Sequence, residues 1–168
     1  QGPNSPHWTQ AEAEEIERLL DTETGRFIHL SDKPADRKAA YANPQPKIKI
    51  KDGKPEYRMR LTIGGDKIDY DGDVHANTAH LTTIKLLFNA VVSEHAKFMT
   101  MDIKDFYLGT PLLRKEYMSL SWRHVPQSII DKYNLESMFH NDHILMEISK
   151  GIYGLPQAGK LAQDQLFQ

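Results

Sequence analysis

Residues 98–112 read Phe98-Met99-Thr100-Met101-Asp102-Ile103-Lys104-Asp105-Phe106-Tyr107-Leu108-Gly109-Thr110-Pro111-Leu112. The short apolar run from Phe98 to Ile103 suits a buried strand, and it runs straight into Asp102 and Asp105. Carboxylates at the end of a hydrophobic strand are costly to desolvate unless something pairs with them. A divalent cation is one such partner, because Mg²⁺ is held by one or two carboxylates together with phosphate oxygens. The plainer reading is that both aspartates cap the turn that follows. This stretch alone leaves both open.

Upstream, Lys47-Ile48-Lys49-Ile50-Lys51 alternates strictly, as a half-exposed strand does. Asp52-Gly53 is a turn signal, and Tyr57-Arg58-Met59-Arg60-Leu61 alternates again. Together they predict a β-hairpin with Lys47, Lys49, Lys51, Arg58 and Arg60 on one face. A solvated face explains such a pattern as well as a triphosphate-binding face does.

Further upstream, Ser5 and Pro6 suit the cap and first position of a helix. Trp8, Ala11, Glu12, Ile16, Leu19 and Leu20 trace one face of it, and Glu14, Glu15 and Glu17 the other; Asp21 to Gly25 ends it. Residues 26–30 fit a short strand, residues 31–45 a polar, Pro-containing loop, and residues 64–75 a Gly- and Asp-rich loop. Residues 79–95 give the clearest helix, with Leu81, Ile84, Leu87, Phe88, Val91 and Val92 on one face. Downstream, residues 112–142 read as short helices and loops, with Ile129, Ile130 and Tyr133 on one side of a turn or two, and residues 143–149 as a strand. Gly151 to Gly159 is a Gly- and Pro-punctuated loop entering a helix over 157–168. A helix N-terminus presents free N–H groups that suit a phosphate, though an ordinary turn is the plainer reading.

The bulk properties limit the classes. The 168 residues suffice for one cored domain, and the formal charge of −2 gives no global basic signal for nucleic acid, leaving only a local patch to bind one. No apolar run approaches the roughly 18 residues of a membrane span, and no signal peptide is visible. Cysteine is absent, which excludes disulfides, thiolate metal sites and Cys nucleophiles. The chain is expected to be intracellular, in a cytoplasmic particle or the nucleus, not secreted, and without a membrane partner.

In order along the chain, these features resemble a reverse transcriptase. Met101-Asp102-Ile103-Lys104-Asp105-Phe106-Tyr107 resembles that family's first catalytic motif, and Leu155-Pro156-Gln157-Ala158-Gly159 its Leu-Pro-Gln-Gly region. Tyr57-Arg58-Met59-Arg60-Leu61 is similar to the strand ending in Arg-Leu-Val in copia-type retrotransposons. Trp8 with Glu14, Glu15 and Leu19, then Leu81-Thr82-Thr83-Ile84-Lys85-Leu86-Leu87, then Glu116-Tyr117-Met118 and Tyr153-Gly154-Leu155, resemble copia-type framing segments. The likeness spans about residues 7–168.

The resemblance implies an α+β fold: the fingers of a right-hand polymerase, a β-hairpin plus helices, on a partial palm with an incomplete antiparallel sheet. Residues 1–101 would be fingers-like and residues 102–168 partial palm. The implied activity is RNA- and DNA-templated DNA synthesis by two-metal nucleotidyl transfer, with Mg²⁺, or Mn²⁺ in its place, as cofactor. A template–primer of RNA or DNA and deoxynucleoside triphosphates would be the partners. Asp102 would be the catalytic metal ligand, helped by the carbonyl of Ile103. The N–H groups of Asp105 and Phe106 would bind triphosphate oxygens, Tyr107 would exclude a 2′-hydroxyl, and Gln157 would contact the nucleotide near its sugar. Arg58 or Arg60 would meet the α-phosphate, and Lys49 or Lys51 the γ-phosphate; the register leaves each pair open.

The sequence departs from the family in two ways. Asp105 and Phe106 stand where copia-type enzymes have Thr or Ser and a small residue. No Tyr-x-Asp-Asp pair follows Gln157 within the 168 residues, so one of three expected metal carboxylates is encoded and this chain alone is expected not to polymerise. A palm edge left unpaired is expected to favour self-association. The rival class is a non-catalytic nucleic-acid or protein binding module. Asp69, Asp71 and Asp73 imitate a calcium loop, but Val74 stands where its Gly belongs and His80 where its Glu belongs. His140 and His143 lack a further ligand cluster.

Overall fold

The computed structural model describes residues 5–167. Four helices and five strands follow in the order α1 (Ser5–Asp21), β1 (Gly25–Ile28), β2 (Ala39–Lys51), β3 (Lys54–Ile63), α2 (Leu81–Ser93), β4 (Pro111–Ser121), α3 (Gln127–Tyr133), β5 (His143–Lys150) and α4 (Ala158–Leu166). The strands form one mixed sheet in the order β1-β5-β4-β2-β3, so the fold is α+β. It draws strands from both sides of residue 101. It is not purely antiparallel, since Ala39, Ala40 and Tyr41 pair in parallel with Tyr117, Met118 and Ser119.

Beyond Tyr41, β2 leaves the sheet and pairs with β3 alone, which makes a ribbon projecting from the core. Asp52 and Gly53 both take positive φ, 51° and 74°, the geometry a two-residue hairpin turn requires. β2 begins within the segment that reads as loop, in spite of Pro44 and Pro46. The Tyr41 carbonyl accepts from Gly64 N–H across the hairpin, so odd-numbered residues of β2 turn their backbone groups toward β3. Pro44 and Pro46 face the other edge, where no ladder bond is lost.

Alternation places Met118 and Leu120 of β4 and Ile144, Met146 and Ile148 of β5 on one buried face. Ile16 and Leu19 of α1, Leu61 and Ile63 of β3, Ile129 of α3 and Ile152 and Leu155 complete this core. The opposite face carries a smaller cluster of Ile28, Tyr117 and Leu145. There Glu147 is held by Arg26 and Lys115. Burial pushes its carboxyl up, but hydrogen bonds from both cations outweigh that and hold it below the usual carboxylate range.

Three expectations are corrected. β4 forms within the stretch that reads as short helices and loops, because its buried residues find partners on β5. α2 is a helix, yet none of its residues is buried; Leu81, Leu86, Leu87 and Val92 are all more than half exposed. Residues 96–103 form no strand, and Phe98, Met99 and Met101 are exposed. A strand needs a neighbour for its backbone groups, and no described strand runs beside this one. Phe88 and Phe98 meet edge to face at 5.3 Å, so α2 and the following segment pack on each other outside the main core. Among the described residues no helix is long and apolar enough to cross a membrane.

Candidate functional site

β2 and β3 turn one face of their ribbon toward α1 and the 102–105 segment. The register sets Lys47 opposite Arg58, Lys49 opposite Glu56 and Gln45 opposite Arg60, so these side chains share a face. That face forms one wall of a cleft of about 980 Å³, at the upper end of the roughly 300–1,000 Å³ usual for ligand sites. α1 supplies a second wall through Glu14, Glu15 and Arg18; residues 102–105 supply a third, and Tyr153 lies at the inner end.

The cleft thus gathers Lys49, Arg58, Arg60, Asp102, Ile103 and Asp105 from far-apart parts of the chain. Its cations are not equally free. Arg58 pairs with Glu56 at 2.9 Å, and this bond, with Lys51 and Lys49 nearby, holds the Glu56 carboxyl below its usual range. The Arg60 guanidinium lies 4.0 Å from the centre of the Tyr153 ring. Lys47, Lys49 and Lys104 have no ion-pair partner among the described residues.

Arg18 joins two walls. Its guanidinium bonds both oxygens of Glu15 on its own helix and reaches Oδ1 of Asp105 at 2.5 Å. Glu15 is 6% exposed and also accepts from the backbone N–H of Leu61. The sequence places Glu15 on the solvent side, and the structure corrects this: the helix packs on β3 and turns Glu15 inward. Burial is the largest influence on its carboxyl and raises it, in spite of the Leu61 N–H and the two arginines nearby. Asp105 takes φ of 54°, in the left-handed region that aspartate tolerates better than most residues. Neither its N–H nor that of Phe106 has a protein acceptor among the described residues.

Other sequence-predicted residues lie off the cleft. Lys51 stands at the hairpin tip, opposite Lys54. Phe106 is half-buried. Tyr107 meets the edge of Tyr153 at 5.4 Å and reaches the site only through that ring. Gln157 is buried; its Nε2 donates to Glu116 Oε1 at 3.3 Å, and its Oε1 has no partner. Arg37 and Arg114 bond the same buried Glu116, so this carboxylate draws Gln157 away from the cleft.

Sequence reading passes over Arg18 and gives Tyr153 no role at the site. The spacing of Glu15 and Arg18 is a helical i, i+3 pair, but nothing local links Arg18 to Asp105, 87 residues away. Tyr153 enters the sequence reading only within Tyr153-Gly154-Leu155, a framing segment of the resemblance.

The described residues contain no group of three or more His, Asp or Glu able to hold a metal by themselves. Asp102 is exposed and unpaired, whereas Asp105 is engaged by Arg18. One free carboxylate falls short of the two-ion centre that the resemblance implies. No protein-family model matches the chain, and no curated protein or solved structure matches it either.

Proposed function

We propose that the cleft is the nucleotide-cradling half of a reverse-transcriptase site of the copia type, in a protein acting inside the cell. In this reading the core and ribbon are the fingers and a partial palm. The observation that supports it is the convergence of three segments on one cleft: the cationic ribbon, the Asp102–Asp105 turn and the loop bearing Tyr153. Each carries a motif of that resemblance, and no local pattern brings them together.

On this reading Lys49, with Lys47 beside it, meets the terminal phosphates, and Arg60 or Arg58 the α-phosphate. Arg58 must leave Glu56 to do so. Asp102 and the Ile103 carbonyl would hold a Mg²⁺, which would supply charge neutralisation for the triphosphate. The unpaired N–H groups of Asp105 and Phe106 are further donors for the phosphate oxygens. Gln157 takes part only if its bond to Glu116 opens. With one metal carboxylate in 168 residues, the chain binds nucleotide but transfers none.

The test is titration of the chain with dTTP and Mg²⁺, or Mn²⁺ in its place, alongside primer extension on an RNA template. Saturable, salt-sensitive dTTP binding that weakens in Lys49→Ala and Arg60→Ala, with no extension, is expected. Absence of dTTP binding overturns the reading, and measurable extension overturns the expected inactivity. A second reading, a non-catalytic protein or nucleic-acid binding module that also self-associates, draws on the exposed apolar surface of α2 and residues 98–103. It predicts duplex binding indifferent to dTTP and a mass above the monomer in light scattering.

A further inference from the structure

The loop from Gly151 to Pro156 is wedged between two backbones. A Cβ on Gly154, whose φ is 98°, would overlap the carbonyl oxygen of Ile63 at the end of β3. A Cβ on Gly151 would press on the carbonyl oxygen of Tyr107. The Ile63 N–H donates to the Tyr153 carbonyl at 2.9 Å and ties the loop to the strand that carries Arg60. The Tyr153 ring is therefore placed by backbone contacts on both sides and projects, half-buried, into the cleft. One face lies under the Arg60 guanidinium, 4.0 Å from the ring centre, and Tyr107 meets the ring at 5.4 Å.

The geometry points to Tyr153 as a positioning residue: its ring is a platform that holds the Arg60 guanidinium at the cleft, in place to receive a phosphate. This rests on the nucleotide reading given above. An arginine on an exposed ribbon samples many rotamers, and ordering it on binding is a cost that a preformed stack removes. The face of an aromatic ring attracts a cation without occupying its N–H donors, so all five stay free for an anion. A carboxylate in the same place would hold Arg60 by neutralising it, as Glu56 does to Arg58.

Three measurements on the 168-residue chain test this. First, NMR of the chain without ligand: the Arg60 side-chain protons are expected upfield of those of Arg58 through the ring current of Tyr153. Second, dTTP binding in the presence of Mg²⁺: Tyr153→Leu is expected to weaken it about 3- to 10-fold, the weight of a half-buried cation–π contact. Tyr153→Phe keeps the ring and should stay within about twofold. Third, a double-mutant cycle: Arg60→Gln with Tyr153→Leu should bind no more weakly than Arg60→Gln alone. Tyr153→Met, which keeps bulk without a ring, replaces the Leu variant if that one does not fold. An Arg60 without the upfield shift, or additive losses in the cycle, overturns the proposal while leaving the nucleotide reading intact. A wild-type chain that binds no dTTP overturns both.

Discussion

Arg18→Met removes the cation that ties α1 to the 102–105 turn, and its cost can be worked from burial. The variant keeps the apolar stem but strips the ion partner from Glu15, which is 6% exposed. Removing one member of a fully desolvated pair costs about 3–5 kcal/mol. The Arg18 side chain is 30% exposed, so water already screens part of the interaction, and about 2–3 kcal/mol is expected at pH 7. The pH dependence has a definite sign. Burial already holds the Glu15 carboxyl above its ordinary 4.5 in the folded protein, and loss of Arg18 removes a lowering influence and raises it further. Between 4.5 and that raised value the folded variant binds a proton the unfolded chain releases, so its stability falls as pH rises through this window. At about pH 4 Glu15 is mostly protonated in the folded variant, and the gap to wild type should shrink toward one lost hydrogen bond, about 1 kcal/mol. Urea denaturation of wild type, Arg18→Met and the double variant Glu15→Gln with Arg18→Met, at pH 7 and pH 4, measures all of this. The double variant buries no charge and should regain most of the loss at pH 7. A gap equally wide at both pH values, with no recovery in the double variant, refutes the reasoning.

Gly154→Ala forces a Cβ against the Ile63 carbonyl at a positive φ. It should cost on the order of 2–4 kcal/mol and lower the melting temperature by about 4–16 °C, read by calorimetry. Leu87→Glu, at a position 57% exposed, should change stability by less than about 0.5 kcal/mol and reduce binding of a hydrophobic dye; a loss of core size would put α2 back in the core. Asp102→Asn should leave the melting curve unmoved, since Asp102 is exposed, and should abolish the Mg²⁺ dependence of dTTP binding in titrations with and without chelator. Unchanged Mg²⁺ dependence would remove Asp102 from the metal site.

Much of the local structure was legible in the chain. The alternation over 47–51 and 57–61 and the Asp52-Gly53 turn predict the hairpin and its cationic face, because side chains two apart share a face whatever lies beyond the strand. The same holds for the helical spacing of Ile16 and Leu19 and for β5, each set by near neighbours. Burial was less legible. The pattern of α2 implies an apolar face but not a surface to receive it, and apart from the contact of Phe98 with Phe88 that face stays largely exposed. Glu15 reads as a solvent carboxylate until the packing of α1 on β3 turns it inward.

The site divides along the same line. In the sequence, the resemblance implies Asp102 for a metal, Lys49 or Lys51 and Arg58 or Arg60 for a triphosphate, and Tyr107 for the sugar. Only the folded chain decides that the ribbon and the 102–105 turn share a cleft, that Arg18 spans from Glu15 to Asp105, that Tyr153 carries Arg60, and that Gln157 is held by Glu116. Periodicity depends on neighbours a few residues away and is written into any short window. The meeting of Arg18 with Asp105 depends on how every intervening strand and turn packs, which no window contains.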